Sequence, residues 1–269
     1  SFGGFFFIRW YNSFMILGFI GTGKISSSVI KGISNSNLSY KKIIISPRNY
    51  KLSKLLKKNC KKVAIAKNNQ EIVNKSDWIF LAVTPTVGDK IIKELKFKSS
   101  QTVISFISTI TLPQLKKAIK VKAKIVRAIP LPPISLKKGP IPICPPDKKV
   151  KAFFDKVGTT VEIKNEKLSI NFWSTSGMMA PFYQLLSVMS DWLVKKGVKR
   201  NNAQKYITSL FLALSEDAVV NSKKDLKYLV KESQTPKGLN EQGVKELTKA
   251  GFYKSLEKTL NSIHKRLNK

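Results

Sequence analysis

Residues 15–28, Met15-Ile-Leu-Gly-Phe-Ile-Gly-Thr-Gly-Lys-Ile-Ser-Ser-Ser28, carry a short apolar run straight into closely spaced glycines and then into a helical pattern. Strand, tight turn and amphipathic helix in that order open a dinucleotide site. Gly21 and Gly23 form the G-x-G core of the fingerprint, and Ser26 stands where a third glycine or an alanine is usual. With no Cβ at Gly21 the chain can turn sharply, and with none at Gly23 a pyrophosphate can approach the backbone N–H groups at the helix start. Ile25, Val29, Ile30 and Ile33 then recur at helical spacing. Ile20, Gly21, Thr22, Gly23, Lys24 and Ile25 are therefore candidate coenzyme contacts. For this stretch taken alone, the alternative is a glycine-rich turn that binds nothing.

A chain of 269 residues suits one large domain or two modest ones, and two are expected. Hydrophobic content of 42% is that of a globular protein, and no apolar run approaches the ~20 residues that span a bilayer. A soluble, cytoplasmic protein without a membrane partner is expected. Cys60 and Cys144 have neither the number nor the spacing of a disulfide framework or a metal cluster; they suit a reducing compartment and read as packing residues. No metal site is expected. The single histidine, His264, lies near the C-terminus on a lysine-rich helical pattern and reads as solvated. Its isolation argues against a Ser-His-Asp triad, a Cys-His pair and multi-histidine zinc sites.

The net charge of +33 invites a nucleic-acid reading, yet lysines run from Lys24 to Lys269 without a concentrated arm or interleaved aromatics. A solvated basic surface is expected, with no specific nucleic-acid partner, though it would attract anionic cofactors and substrates at low salt. Residues 1–14, SFGGFFFIRWYNSF, lack a basic start, a continuous apolar run and a small-residue cleavage site, so they read as an extension rather than a signal peptide.

Beyond the first strand and helix, the pattern alternates. Strands are expected at 41–46, 63–66, 77–83, 102–107 and 123–128, and helices at 50–59, 87–95 and 112–119, which predicts a doubly wound parallel sheet. Residues 130–146 hold seven of the 12 prolines and read as an ordered loop or short edge strand. A helix at 149–154 and a strand at 160–163 follow. From Phe172 the period turns helical: Phe182, Leu185, Leu186, Met189, Trp192 and Leu193 share one face, and Tyr206, Ile207, Leu210, Phe211 and Leu214 another. Gly197 fits the intervening C-cap position, and Phe252, Leu256, Leu260, Ile263 and Leu267 mark a last helix. Wide apolar faces on so small a helical domain suit dimer formation.

Together these positions resemble the pyrroline-5-carboxylate reductase family over essentially all of residues 15–269. The resemblance rests on Gly18-Phe-Ile-Gly-Thr-Gly-Lys-Ile25, Asn69 ahead of Ser76-Asp77, Leu81-Ala-Val-Thr-Pro85, Val126-Arg-Ala-Ile-Pro130, and Gln234-Thr-Pro-Lys-Gly-Leu-Asn240 followed by Lys249-Ala-Gly-Phe252. It implies an α/β fold: an N-terminal Rossmann domain over residues 15–165, then an all-α dimerisation and substrate domain over 166–269. It further implies a homodimer or higher homo-oligomer, and hydride transfer from NADPH or NADH to a small anionic cyclic imine, 1-pyrroline-5-carboxylate, to give L-proline. The cofactor carries the difficult chemistry and the protein aligns and polarises it. No catalytic side chain is identified, since an imine bound in its protonated form needs no dedicated acid.

Asn69, Ala82, Val83, Thr84, Pro85, Ile107 and Ser108 border the coenzyme by this resemblance. At the end of the second strand, Ser46-Pro-Arg48-Asn49 has no acidic residue for a ribose 2′-OH, so Ser46 and Arg48 are candidates to hold a 2′-phosphate, which favours NADP(H) with NAD as the alternative. The substrate loop implied is Thr235, Lys237, Gly238, Leu239 and Asn240. Leu239, Glu241 and Gln242 depart from the family's small polar residues here, and Leu131-Pro132 replaces its Asn-Thr after Pro130. Another small imine or oxo acid, or a nucleotide-binding protein without turnover, are the competing readings.

Overall fold

The computed structural model describes residues 15–268, which fall into two compact units, one ending at Ser169 and one starting at Ile170. The extension expected over residues 1–14 lies outside the described residues. In the first unit the elements are β1 (Ile16–Ile20), α1 (Lys24–Ser34), β2 (Lys42–Ile45), α2 (Tyr50–Asn59), β3 (Val63–Ile65), α3 (Asn69–Lys75), β4 (Trp78–Leu81), α4 (Pro85–Glu94), β5 (Thr102–Ser105), α5 (Leu112–Ile119), β6 (Lys124–Ala128), β7 (Pro140–Cys144), α6 (Lys148–Phe154) and β8 (Thr159–Glu162). Short 3-10 turns occupy Pro132–Leu136 and Glu166–Leu168.

The sheet order is β3-β2-β1-β4-β5-β6-β7-β8, parallel from β3 through β6. Side chains alternate along each strand, so Leu17, Phe19, Ile43, Ile45, Phe80, Ile104 and Val126 pack on one face against α1 and α6. Ile20, Ile44, Ile79, Leu81, Val103 and Ile125 pack on the other against α3, α4 and α5. With both faces covered, the strands read as the continuous apolar runs seen in the sequence. Phe19 and Phe80 stack across β1 and β4 with centroids 4.4 Å apart and planes 9° from parallel. Because β1 and β4 are neighbours, the strand order reverses there, and the groove beyond their C-terminal ends is the switch point where such sheets take ligands.

Three differences from expectation have local causes. Helix α4 starts at Pro85 rather than 87: Thr84, extended at φ −65° and ψ 149°, is its N-cap, and Pro85 fits a first-turn position whose N–H has no intrahelical acceptor. Strand β4 is shorter than 77–83, leaving Ala82 and Val83 in the loop that faces the glycine turn. The proline-rich Pro140–Cys144 is neither loop nor edge: β7 lies inside the sheet, antiparallel to β6 and parallel to β8. Prolines fit because the Pro142 carbonyl, accepting from the Ile129 N–H at 3.2 Å, faces β6, where only Arg127 and Ala128 pair with β7. The missing donors of Pro140 and Pro142 fall on that short ladder, whereas the Ile143 carbonyl accepts from Ile163 toward β8.

The second unit is helical: α7 (Ser169–Ser176) leads into it, followed by α8 (Met179–Lys195), α9 (Arg200–Val220), α10 (Leu226–Glu232), α11 (Leu239–Lys249) and α12 (Phe252–Leu267). Helix α8 closes in a Schellman motif, with the N–H of Gly197 donating to Val194 and that of Val198 to Leu193; Gly197 takes the left-handed φ of 90° that the motif requires. Phe182 of α8 meets Phe211 of α9 edge-on at 5.9 Å. His264 is half-buried rather than solvated, because α12 packs back toward the start of the unit and brings the imidazole Nε2 within 3.0 Å of the Asn171 side-chain oxygen. Among the described residues, no helix is long and apolar enough to cross a membrane.

Candidate functional site

The glycine turn after β1 is held by side chains from the neighbouring strand ends. Gly21 takes φ 98°, and a Cβ there would lie 2.5 Å from the Ala82 carbonyl oxygen, so the backbone of the β1 turn rests directly on the loop after β4. The Gly21 N–H donates to Ser46 Oγ at 3.0 Å, Ser26 Oγ donates to the Gly21 carbonyl at 2.6 Å, and Thr22 Oγ1 donates to the Ser46 carbonyl at 2.9 Å. Ser26 is thus no mere substitute for a glycine: its hydroxyl locks the turn. Gly23 is the N-cap of α1 with no side-chain cap and no acidic residue in the first turn. The first N–H groups of α1, at Lys24 and Ile25, point out of the turn without intrahelical acceptors, the arrangement that receives an anion.

Around this turn the structure gathers the residues expected from sequence at the C-terminal ends of β1, β2, β4 and β5. Asn69, at the start of α3, accepts from Ser46 Oγ at 2.6 Å, and Thr84 and Pro85 open α4. Ile107 is buried, while Ser108 stays half-exposed on the β5–α5 loop. Ser46 requires a correction. It is 1% exposed, and its hydroxyl is held between Gly21 and Asn69, so it braces the turn and offers no surface to a phosphate. Arg48, by contrast, is exposed, with no hydrogen bond or ion pair among the described residues. The two cysteines are buried and unpaired, and burial pushes the Cys144 thiol upward.

Sequence reasoning missed an ion pair beside this groove, its arginine buried and its carboxylate half-buried. Arg127 on β6 is 3% exposed; it pairs with Glu166 and donates from Nη2 to the Ser108 carbonyl at 2.5 Å. The signal was present as a lone arginine inside the apolar strand Lys124-Ile-Val-Arg-Ala128.

In the helical unit the candidate substrate loop leads into α11. Gly238 is the N-cap, and its N–H donates to the Thr235 carbonyl at 2.8 Å. Lys237 adopts φ 61°, which turns its N–H onto the Glu241 carboxylate at 2.7 Å. Glu241 in turn pairs with Lys245, and these two contacts hold its carboxyl below the usual range. Asn240 donates one amide N–H to the Ser233 carbonyl at 2.8 Å, keeping the other, while Leu239 is 86% exposed. A shallow cleft of about 330 Å³ opens beside this loop, lined by Lys227, Lys231, Thr235 and Glu241 among others.

Residues 16–109 match the family described as NADP oxidoreductase coenzyme F420-dependent, and residues 168–269 match that of pyrroline-5-carboxylate reductase dimerisation. The chain is 28% identical over 262 positions to the pyrroline-5-carboxylate reductase of Synechocystis, covering 93% of this chain and 96% of that protein. It is 25% identical over 253 positions to that of Methanosarcina acetivorans, with 88% and 90% covered. Its fold is similar to the NADP-bound pyrroline carboxylate reductase structure from Plasmodium falciparum, with a TM-score of 0.81, 22% identity and 95% and 98% of the two chains covered. The 1-pyrroline-5-carboxylate reductase of Streptococcus pyogenes gives 0.80 at 21% identity over the same shares. Fold and glycine turn define the class: a nicotinamide-dinucleotide oxidoreductase built from a Rossmann domain and a helical dimerisation domain. Within that class, the chain is similar to pyrroline-5-carboxylate reductases along most of its length, and its helical unit matches their dimerisation domain.

Proposed function

We propose that this protein reduces 1-pyrroline-5-carboxylate to L-proline with NADPH, as a homodimer or higher homo-oligomer. The observation that carries the reading is the uncapped N-terminus of α1 behind the braced Gly21-Thr22-Gly23 turn, in a chain whose residues 168–269 match a reductase dimerisation domain. The pyrophosphate is received by the Gly23, Lys24 and Ile25 backbone, with Ala82, Val83, Thr84, Pro85, Ile107 and Ser108 bordering the rest of the coenzyme, and Asn69 holding the brace. Arg48 meets the 2′-phosphate, its free fork suited to that group. When bound, NADPH supplies the hydride.

Thr235, Lys237, Gly238, Leu239 and Asn240 orient the imine. Its carboxylate is received by the free amide N–H of Asn240 and the Lys237 ammonium. None of these groups is an acid suited to protonating the imine, so the substrate binds already protonated. Residues 15–165 serve the coenzyme and 166–269 the substrate and self-association; two buried free thiols favour the reducing cytoplasm.

The test is loss of NADPH absorbance with 1-pyrroline-5-carboxylate. Turnover is expected, with Arg48→Ala raising KM for NADPH about tenfold and leaving that for NADH unchanged, and Asn240→Ala raising KM for the imine. A second reading, reduction of another small imine, is favoured by exposed Leu239 and by Glu241 at the start of α11. Turnover confined to imines lacking the carboxylate would replace the first reading by the second.

A further inference from the structure

The loop between β5 and α5, residues 106–111, carries Ile107 and Ser108 into the proposed coenzyme groove, and one ion pair holds it at its middle and where it enters α5. Arg127 Nη2 donates to the carbonyl of Ser108 in mid-loop at 2.5 Å. Arg127 Nη1 donates to Glu166 Oε1, and that same oxygen accepts the N–H of Leu112, the first residue of α5, at 2.8 Å. The loop's closing turn is separately fixed by a capping box, in which Thr111 and Gln114 bond reciprocally. The chain therefore leaves β5 and enters α5 along a path set by a guanidinium and a carboxylate that lie far away in sequence, on β6 and after β8.

Stability alone is a poor reason for this arrangement. Arg127 is 3% exposed and the Glu166 side chain 22%, so the pair is largely withdrawn from water; that costs about as much as their attraction returns, and an apolar pair of similar volume is commonly as stable or more so. What apolar side chains cannot do is fix a carbonyl and an N–H in direction. The guanidinium is a rigid planar fork that bonds two acceptors at a set angle, which lysine cannot reproduce.

We propose that Arg127 and Glu166 are a positioning pair for the coenzyme, setting the Ile107–Ser108 backbone at the groove; this rests on the NADPH reading above. In this role the pair acts through the loop it holds, by its bonds to Ser108 and Leu112, and not by contact with substrate or coenzyme. A displacement of about 1 Å in such a support lowers affinity or rate by one to two orders of magnitude.

The experiment measures the NADPH dissociation constant by nicotinamide fluorescence, together with thermal midpoint and steady-state kinetics. The variants are Arg127→Lys and the double variant Arg127→Met with Glu166→Leu. The double variant is expected to melt no lower than the unaltered protein yet to bind NADPH about tenfold more weakly. Arg127→Lys, which keeps charge and fold but loses the fork, is expected to raise KM for NADPH by a similar factor, with KM for the imine unchanged within about twofold. If the double variant does not fold, Arg127→Lys decides on the same ratio. NADPH binding unchanged in the folded variants overturns the proposal and leaves the coenzyme reading standing. Failure of the unaltered protein to bind NADPH overturns both.

Discussion

The two units of this chain handle apolar side chains in opposite ways. In the first, Phe19, Phe80, Phe154, Leu17 and a run of isoleucines are completely buried between sheet and helices. In the second, the only buried apolar residues among those described are Ala203 and Ile207, while Trp192 is 58% exposed, Tyr206 62%, Leu214 56% and Val220 83%. A sheet covered on both faces closes its own core. Two long helices packed mainly on each other, α8 on α9, leave half of each apolar girdle outward, and exposed patches of that extent belong to interfaces. The dimerisation match over residues 168–269 agrees. The difference teaches that the sheet unit closes its own core, whereas the helical unit leaves apolar faces for self-association.

The largest effect that would test this contrast is Phe80→Ala. Removing a fully buried ring stacked on Phe19 is expected to cost about 4 kcal/mol in denaturant unfolding, with the loss confined to the transition that reports NADPH binding. A loss below about 1 kcal/mol would mean that the first unit's core is less tightly packed than its geometry indicates.

Next comes Leu214→Glu on α9, set against Leu136→Glu on the first unit, where Leu136 is 71% exposed. A charge on the associating face is expected to weaken self-association by about 3 kcal/mol, roughly a hundredfold, seen as a shift to monomer in sedimentation. The same charge at Leu136 changes stability by less than about 0.5 kcal/mol and leaves the oligomer intact. Equal outcomes at the two sites would erase the distinction between the units.

The smallest effect concerns Asp147, N-cap of α6. Partial burial pushes its carboxyl upward, but the Lys124 ammonium at 2.6 Å and the N–H groups of Val150 and Lys149 outweigh that and hold it below the ordinary value of 3.8. A carboxylate depressed in the folded state contributes stability that is complete above its unfolded pKa and is lost as the pH falls through the folded one. Asp147→Asn is therefore expected to cost about 1 kcal/mol at neutral pH, with the gap narrowing below about pH 4. A gap independent of pH would assign the effect to shape rather than charge.

Much of the first unit was legible in local pattern. Continuous apolar runs reported strands buried on both faces, and the position of Gly21, where any Cβ would meet the Ala82 carbonyl, reported the turn. What misled was a local rule with a nonlocal exception. Proline argues against an inner strand, but at Pro142 the missing donor faces a ladder only two residues long. Ser46 misled for the same reason: its position at a strand end suggested a ligand contact, and only the placement of Gly21 and Asn69 around it reveals a brace.

The sequence by itself determined the order of strands and helices, the glycine turn and the change from sheet to helical unit, because each depends on backbone preference and side-chain period within a few residues. Only the tertiary structure decided that β7 runs inside the sheet, that Arg127 meets Glu166 beside the β5–α5 loop, and that the helical unit leaves its apolar faces outward. Those outcomes depend on partners tens of residues distant, and a hydrogen bond or a buried face is a property of the pair and not of either residue alone.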